Sequence, residues 1–125
     1  MSHAPNYGAR KPVDAQTIAT TGSYTSAWFP IANETDFSFW VKATSATGTA
    51  DVSLDFEQTP VTSTFVSGDP SVTTAIDASD TSEAWSEYVN TTVNAIVAAQ
   101  GRVIVTGVNS NPADTVANVY VSLRY

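Results

Sequence analysis

The sequence predicts an all-β protein: a single β-sandwich, jelly-roll or immunoglobulin-like, that follows an extended N-terminal arm. Two observations support this prediction. Short apolar runs alternate with polar residues at the period of two that is typical of strands. Charged residues make up only 14% of the 125-residue chain, and Thr, Ser, Val and Ala take their place. That composition favours pleated, half-buried surfaces, and the length is sufficient for one core.

The arm is predicted to span residues 1–19 and the sandwich residues 20–125. Two prolines, a glycine and the lack of hydrophobic periodicity indicate that the arm does not contribute to a core. Its charge also differs from that of the body. Arg10 and Lys11 precede the first acidic residue, Asp14, whereas the chain from Asp14 onward holds three basic residues and all twelve acidic ones.

Strands are predicted at short intervals between polar turns. The clearest two, Asp36–Ala43 and Ala50–Gln58, are joined by a Ser/Thr/Gly-rich stretch and are predicted to form a hairpin. Tyr24–Ile31 is predicted at a sheet edge or a bend, because Pro30 has no N–H for a central ladder. Further predictions are short strands at Thr64–Val66 and Val72–Ile76, a turn at Ser67–Pro70, a strand or loop at Glu83–Val93, an Ala-rich stretch compatible with a helical turn at Asn94–Gln100, a central strand at Gly101–Val108 and an alternating strand at Thr115–Tyr125. In the last strand, alternation directs Ala117, Val119, Val121 and Leu123 inward and Asn118, Tyr120, Ser122 and Arg124 outward.

Alternation assigns each strand of the predicted hairpin a core face and a solvated face. The predicted core residues are Phe37, Phe39, Val41, Val52, Leu54 and Phe56, and the predicted solvated residues are Ser38, Trp40, Lys42, Asp51, Ser53, Asp55 and Glu57. Trp40 is therefore expected to be exposed beside a row of carboxylates. Exposed aromatic residues on a sheet mark binding surfaces. By contrast, Trp85 and either Trp28 or Phe29 are predicted in the core.

The residues that could carry chemistry are few. The net charge of −7 and only five Lys and Arg residues argue against nucleic acid as a partner. Cysteine is absent, and His3 lies in the arm without an orienting partner. The acidic stretch Asp77–Glu83 lacks the glycine and the spacing of a calcium-binding EF-hand loop. We therefore predict no enzymatic activity, no metal and no cofactor.

Neither the membrane nor the secretory pathway is indicated by the sequence. No apolar run reaches the roughly 18 residues that a membrane-spanning helix needs. The N-terminus also lacks the apolar segment of a signal peptide. No membrane partner is therefore expected.

Three stretches of the body, TGSYTSAWFPI, DFSFWVKATSATGTADVSLDFEQTP and GRVIVTGVNSNPADT, resemble small β-sandwich structural proteins of tailed-phage virions. The resemblance covers residues 21–125 and lies in organisation and composition. It implies a bacteriophage head decoration (cement) protein that stabilises the capsid lattice, with the major capsid protein and two further copies of itself as partners. It also implies synthesis in the host cytoplasm and a place on the capsid surface. A tail or neck structural protein and a carbohydrate-binding, lectin-like module are the alternatives.

Under the virion interpretation, the expected interface residues are Tyr7, Arg10, Lys11 and Trp40. The arm would become ordered on binding, with its two cations against carboxylates of a neighbouring subunit. Under the carbohydrate interpretation, Trp40 would stack on a sugar beside Asp55. Such a platform usually needs more than one aromatic ring on the same open face.

Overall fold

A computed structural model describes residues 7–20, 22–31, 36–80, 85–89, 99–108 and 111–124. This part of the chain forms two β-sheets and contains no helix. The strands are β1 (Tyr7–Thr17), β2 (Ser23–Thr25), β3 (Phe29–Pro30), β4 (Asp36–Thr44), β5 (Val52–Thr59), β6 (Val72–Asp80), β7 (Ser86–Val89), β8 (Gln100–Gly107) and β9 (Val116–Arg124). The predicted β-sandwich is confirmed.

The order of the strands identifies the type of sandwich. The first sheet runs β1-β9-β4-β7, and the second runs β2-β8-β5-β6 with β3 also paired to β8. All of these pairings are antiparallel. Among the described pairs, only β5 and β6 are consecutive in sequence. Two sheets interleaved in this way form a jelly roll rather than an immunoglobulin-like sandwich.

The predicted hairpin between residues 36–43 and 50–58 is wrong. β4 pairs with β9 and β7, whereas β5 pairs with β6 and β8. Alternation gives each strand a core face but does not specify its hydrogen-bonding partner. Residues 45–51 instead cross from one sheet to the other, so the two apolar faces meet across the interior. All six predicted core residues are buried.

The ring of Phe56 joins the two sheets at the centre of this core. Its centroid lies 5.2 Å from the rings of both Phe37 and Phe39, which belong to the first sheet. Within the second sheet it packs on Phe29 at 6.2 Å. The neighbouring strand makes room for it with Gly101, where an added Cβ would lie only 2.5 Å from the Phe56 Cζ atom. Close packing of this kind fixes the position of one sheet against the other.

The prediction that residues 1–19 form an arm outside the core is wrong for residues 7–18. β1 pairs with β9 from Tyr7 opposite Arg124 to Thr17 opposite Val116. Val13 is 0% exposed and Ile18 is 1% exposed. The pairing register between β1 and β9 shifts on either side of Val13. The first of these shifts accommodates Pro12, a residue that is tolerated in an edge strand. Residues 1–6 lie outside the described part of the chain.

Most of the remaining strand predictions are confirmed. The confirmed features are an edge position for the broken segment 24–31, a strand beginning at Val72, a central β8, and an alternating β9 with Ala117, Val119 and Val121 buried. In the segment 83–93, which the sequence left open as a strand or a loop, Ser86–Val89 form β7. The turn at 67–70 is also present, where the Asp69 N–H donates to the Val66 carbonyl at 3.0 Å. The strand predicted at Thr64–Val66 is wrong, because these residues belong to a loop. Residues 94–98 of the predicted helical turn lie outside the described part.

We expect Gly101→Ala to lower the free energy of unfolding by about 1–3 kcal/mol, because the added methyl group overpacks the core. Thr106→Ala, at a half-buried position of the same strand, is the control and should cost less than about 1 kcal/mol. Urea denaturation measures both values. Equal stabilities of Gly101→Ala and the wild type would show that Phe56 does not pack tightly on β8.

Asp114 accepts hydrogen bonds from residues 45–47, at the start of the connection that crosses between the sheets. Its Oδ1 atom accepts hydrogen bonds from the hydroxyl groups of Ser45 at 2.7 Å and Thr47 at 2.8 Å. Its Oδ2 atom accepts a hydrogen bond from the backbone N–H of Ala46 at 3.2 Å. These bonds, led by the one from Ser45, hold the pKa of Asp114 below its ordinary value because they stabilise the ionised form.

We expect Asp114→Asn to lower the melting temperature at pH 7, with a difference from the wild type that shrinks as the pH falls. A folded-state pKa below the unfolded value stabilises the fold above the unfolded pKa of about 3.9, and this contribution is lost as the pH falls through the folded pKa. Thermal melts between pH 7 and pH 2.5 measure the difference. A difference that stays constant over this range would contradict the assignment.

Candidate interaction surface

Three aromatic side chains meet on the outer surface of the first sheet. Trp40 on β4 lies directly opposite Tyr120 on β9 in the strand register. Trp85, just before β7, packs on Tyr120 with a centroid distance of 5.3 Å and an interplanar angle of 52°. With Ser122 they line an open groove of about 320 Å³. We call these four residues the aromatic face.

The alternation of β4 and β9 produces this surface. Phe39 and Val41 point into the core, as do Val119 and Val121, so Trp40 and Tyr120 point outward. Tyr120 is 38% exposed, and Trp40 is half-buried. The predicted outward position of Trp40 is therefore confirmed.

The prediction that Trp85 lies in the core is wrong, since it is 40% exposed. Trp85 precedes β7, so the alternation of a strand does not assign its side chain to the core face or to the outer face. Sequence reasoning placed Tyr120 on the outer side but did not associate it with Trp40. The pairing of β4 with β9, which joins residues eighty positions apart, could not be recognised from either strand alone.

Lys11 extends the aromatic face at the edge strand. Its Nζ atom lies 5.1 Å from the centroid of the Tyr120 ring, within the range of a cation–π contact. The same atom lies 3.0 Å from Oδ1 of Asp14. The hydrogen bond to Asp14 raises the pKa of Lys11, so the ammonium group is charged at neutral pH. Two of the predicted interface residues therefore lie next to the same tyrosine: Lys11 contacts the ring of Tyr120, and Trp40 lies opposite Tyr120 on the neighbouring strand.

The other two predicted interface residues lie elsewhere. Arg10 lines a separate cleft together with Trp28 and Phe29, and Lys11 lines this cleft as well. The backbone of Tyr7 pairs with Arg124 at the end of β1, and its side chain is outside the described set. Among the described side chains, Arg10 is therefore not part of the aromatic face.

The second sheet has a different outer surface, part of which is covered. Arg102 donates from Nε to Oε1 of Glu57 at 2.6 Å, and its guanidinium group lies 4.3 Å from the Trp28 ring centroid. Phe65, from the loop of residues 60–71, packs on Trp28 at 4.8 Å. Gln100 holds this loop by donating from Nε2 to the carbonyls of Val61 and Ser63.

The predicted row of solvated carboxylates is therefore wrong in part. Glu57 and Asp51 are each only 8% exposed, while Asp55 is half-buried. Glu57 is on the outer side of its strand, as alternation requires, but it is paired there with Arg102. The predicted pairing of Trp40 with Asp55 is also wrong, because β4 and β5 belong to different sheets.

In the part of the chain that the structure describes, no three His, Cys, Asp or Glu residues are grouped so as to hold a metal ion. His3 and residues 81–83 of the acidic stretch fall outside that part, and β6 contains the rest of the stretch. The described residues also include no helix long and apolar enough to cross a membrane.

The aromatic face can provide apolar contact, ring stacking and a nearby cation.

No protein-family model matches the chain, and no curated protein matches it either. The function must therefore be argued from the geometry of the aromatic face itself.

We expect Trp40→Ala to reduce the free energy of unfolding by about 1 kcal/mol, because the ring is only half-buried. Phe39→Ala is the matched control from the opposite side of the same strand and should cost about 3–5 kcal/mol. Guanidinium denaturation of both variants measures the difference. Equal losses would show that Trp40 serves chiefly to stabilise the fold.

Proposed function

We propose that the protein is a structural protein of a tailed-phage virion, a decoration protein that attaches to the capsid through its aromatic face. The observation that carries this proposal is the placement of Trp40, Trp85 and Tyr120 together on an open sheet surface. Clustered apolar side chains on the surface of a small domain mark sites of contact. Trp and Tyr are also enriched among the residues that dominate binding energy at protein interfaces.

The fold supports this proposal without establishing it. Jelly rolls occur in viral capsid proteins and in lectins, and a fold by itself does not determine function. The resemblance of residues 21–125 to virion sandwich proteins favours the viral role. The partners in this proposal are the major capsid protein and two further copies of the chain in a trimer.

The mechanism that we propose is passive attachment by a rigid surface. Trp40 and Tyr120 are held on neighbouring strands by the β4–β9 ladder. A preorganised surface loses little conformational entropy on binding. Lys11 lies over Tyr120 and adds a cation at the rim, where charge steers association with an acidic partner. The contact adds buried surface to the shell and involves no reaction.

A second candidate function is carbohydrate binding. The specific observation in its favour is that three aromatic residues share one open face, which provides more than the single ring expected from the sequence. Aromatic rings can pack on the apolar face of a pyranose, and Ser122 could supply a hydrogen bond. The two candidates differ in whether the occupant of the groove is a protein or a sugar.

We expect Trp40→Ala to weaken attachment to capsids that lack this protein by about 2 kcal/mol or more, which is about thirtyfold in affinity. The loss arises because the ring would be buried at the interface. Co-sedimentation of the purified protein with such capsids measures the affinity. Val72→Ala is the control, since Val72 is an exposed apolar residue of the other sheet, at 60% exposure.

Glycan arrays should give no signal with the wild-type protein. A glycan hit that disappears in Trp40→Ala, while capsid binding stays unchanged, would show that the aromatic face binds carbohydrate and is not the capsid contact. Failure of the wild-type protein to attach to the capsids would contradict the decoration role directly.

A further inference from the structure

A cleft lies at the side of the sandwich. Here β1 is the edge strand of the first sheet, and β2 and β3 lie along the edge of the second. The cleft between them has a volume of about 260 Å³ and is lined by Arg10, Lys11, Pro12, Ala27, Trp28 and Phe29. We call it the β1 cleft. We propose that the β1 cleft binds an extended acidic segment of a partner protein.

The local backbone determines how such a segment could be held. The register of β1 shifts between Arg10 and Val13, and Pro12 has no N–H to donate. A strand added to the sheet edge could not form a regular ladder at this point. The occupant is therefore held by side-chain contacts. Pro12 and Trp28 offer apolar surfaces on opposite walls, and Phe29, which is 8% exposed, belongs to the core.

Charge selects an acidic occupant. The whole chain has only five basic residues and a net charge of −7, yet Arg10 and Lys11 line this cleft, and none of its six lining residues is acidic. A third cation, Arg102, lies 4.3 Å from the ring centroid of Trp28. Asp14 and Glu57 offset part of the charge of Lys11 and Arg102 through their ion pairs. Both Arg10 and Lys11 are exposed.

The electrostatic field of the rest of the protein strengthens the preference of the cleft for an acidic segment. An acidic segment is repelled by most of the strongly acidic body and attracted to this local group of cations, so charge complementarity sets where it binds. The proposed function supplies the identity of the partner, a capsid subunit. The chemistry of the cleft stands independently of that identity.

The test is a titration of the full-length ¹⁵N-labelled protein followed by NMR. The indole N–H signal of Trp28 reports on the β1 cleft, and those of Trp40 and Trp85 report on the aromatic face. The probe is a synthetic peptide of alternating glutamate and leucine, with a lysine-for-glutamate peptide and inorganic phosphate as comparisons. We expect the acidic peptide alone to shift the Trp28 signal saturably.

Substitutions test whether the acidic peptide binds in the β1 cleft. Arg10→Glu should weaken binding of the acidic peptide about tenfold or more, and Arg10→Gln should weaken it less, because reversal of a charge adds repulsion to the lost attraction. Lys42→Glu is the matched control. Lys42 lies on β4 of the first sheet, and it is not among the residues that line the cleft. This control should bind the acidic peptide as the wild type does.

Several results would overturn the proposal. A fixed Trp28 signal while those of Trp40 and Trp85 move would place the peptide on the aromatic face. A Trp28 shift that phosphate produces as effectively as the peptide would indicate a simple anion site. A Trp28 shift that follows protein concentration alone would identify a second copy of the chain as the occupant. Because no capsid is present in the titration, failure of capsid attachment would contradict the proposed function and leave this inference standing.

Discussion

The packing of Phe56 between the two sheets is the contact on which the rest of the structure depends. The ring reaches Phe37 and Phe39 of the first sheet from its place in the second, and Gly101 gives it room. Because each strand has a side-chain period of two, a core contact at one residue determines the direction of the next. Phe39 is held in the core, and Trp40 is thereby directed outward. The candidate surface is thus a consequence of how the core is packed.

The sandwich topology then separates two surfaces of different character. β4 and β9 carry the aromatic face, whereas β5 and β8 carry the Glu57–Arg102 pair beneath the loop of residues 60–71. β1 lies beside both regions of possible contact, because Lys11 faces Tyr120 and also lines the β1 cleft with Arg10. A strand that sequence reasoning treated as a loose arm therefore connects the aromatic face to the cleft.

Period-two alternation was sufficient to predict the core faces of β4, β5 and β9, and the outward position of Trp40. It could not identify the partner of each strand, because pairing depends on contacts between residues far apart in sequence. For that reason the hairpin, the neighbourhood of Trp40 and its grouping with Tyr120 were not predicted correctly. Pro12 made β1 resemble an arm, although a register shift allows a proline at a sheet edge. The pairing of Glu57 with Arg102 also depends on the register between β5 and β8, two strands that lie far apart in sequence.

The most direct test of the proposal that the aromatic face is the contact surface is hydroxyl-radical footprinting of the free protein and of the protein bound to capsids. The account predicts that Trp40, Trp85 and Tyr120 become protected from oxidation on capsids, while Val66 and Val72, which are 58% and 60% exposed, remain reactive. Undiminished oxidation of the three aromatic residues in the bound state would contradict it.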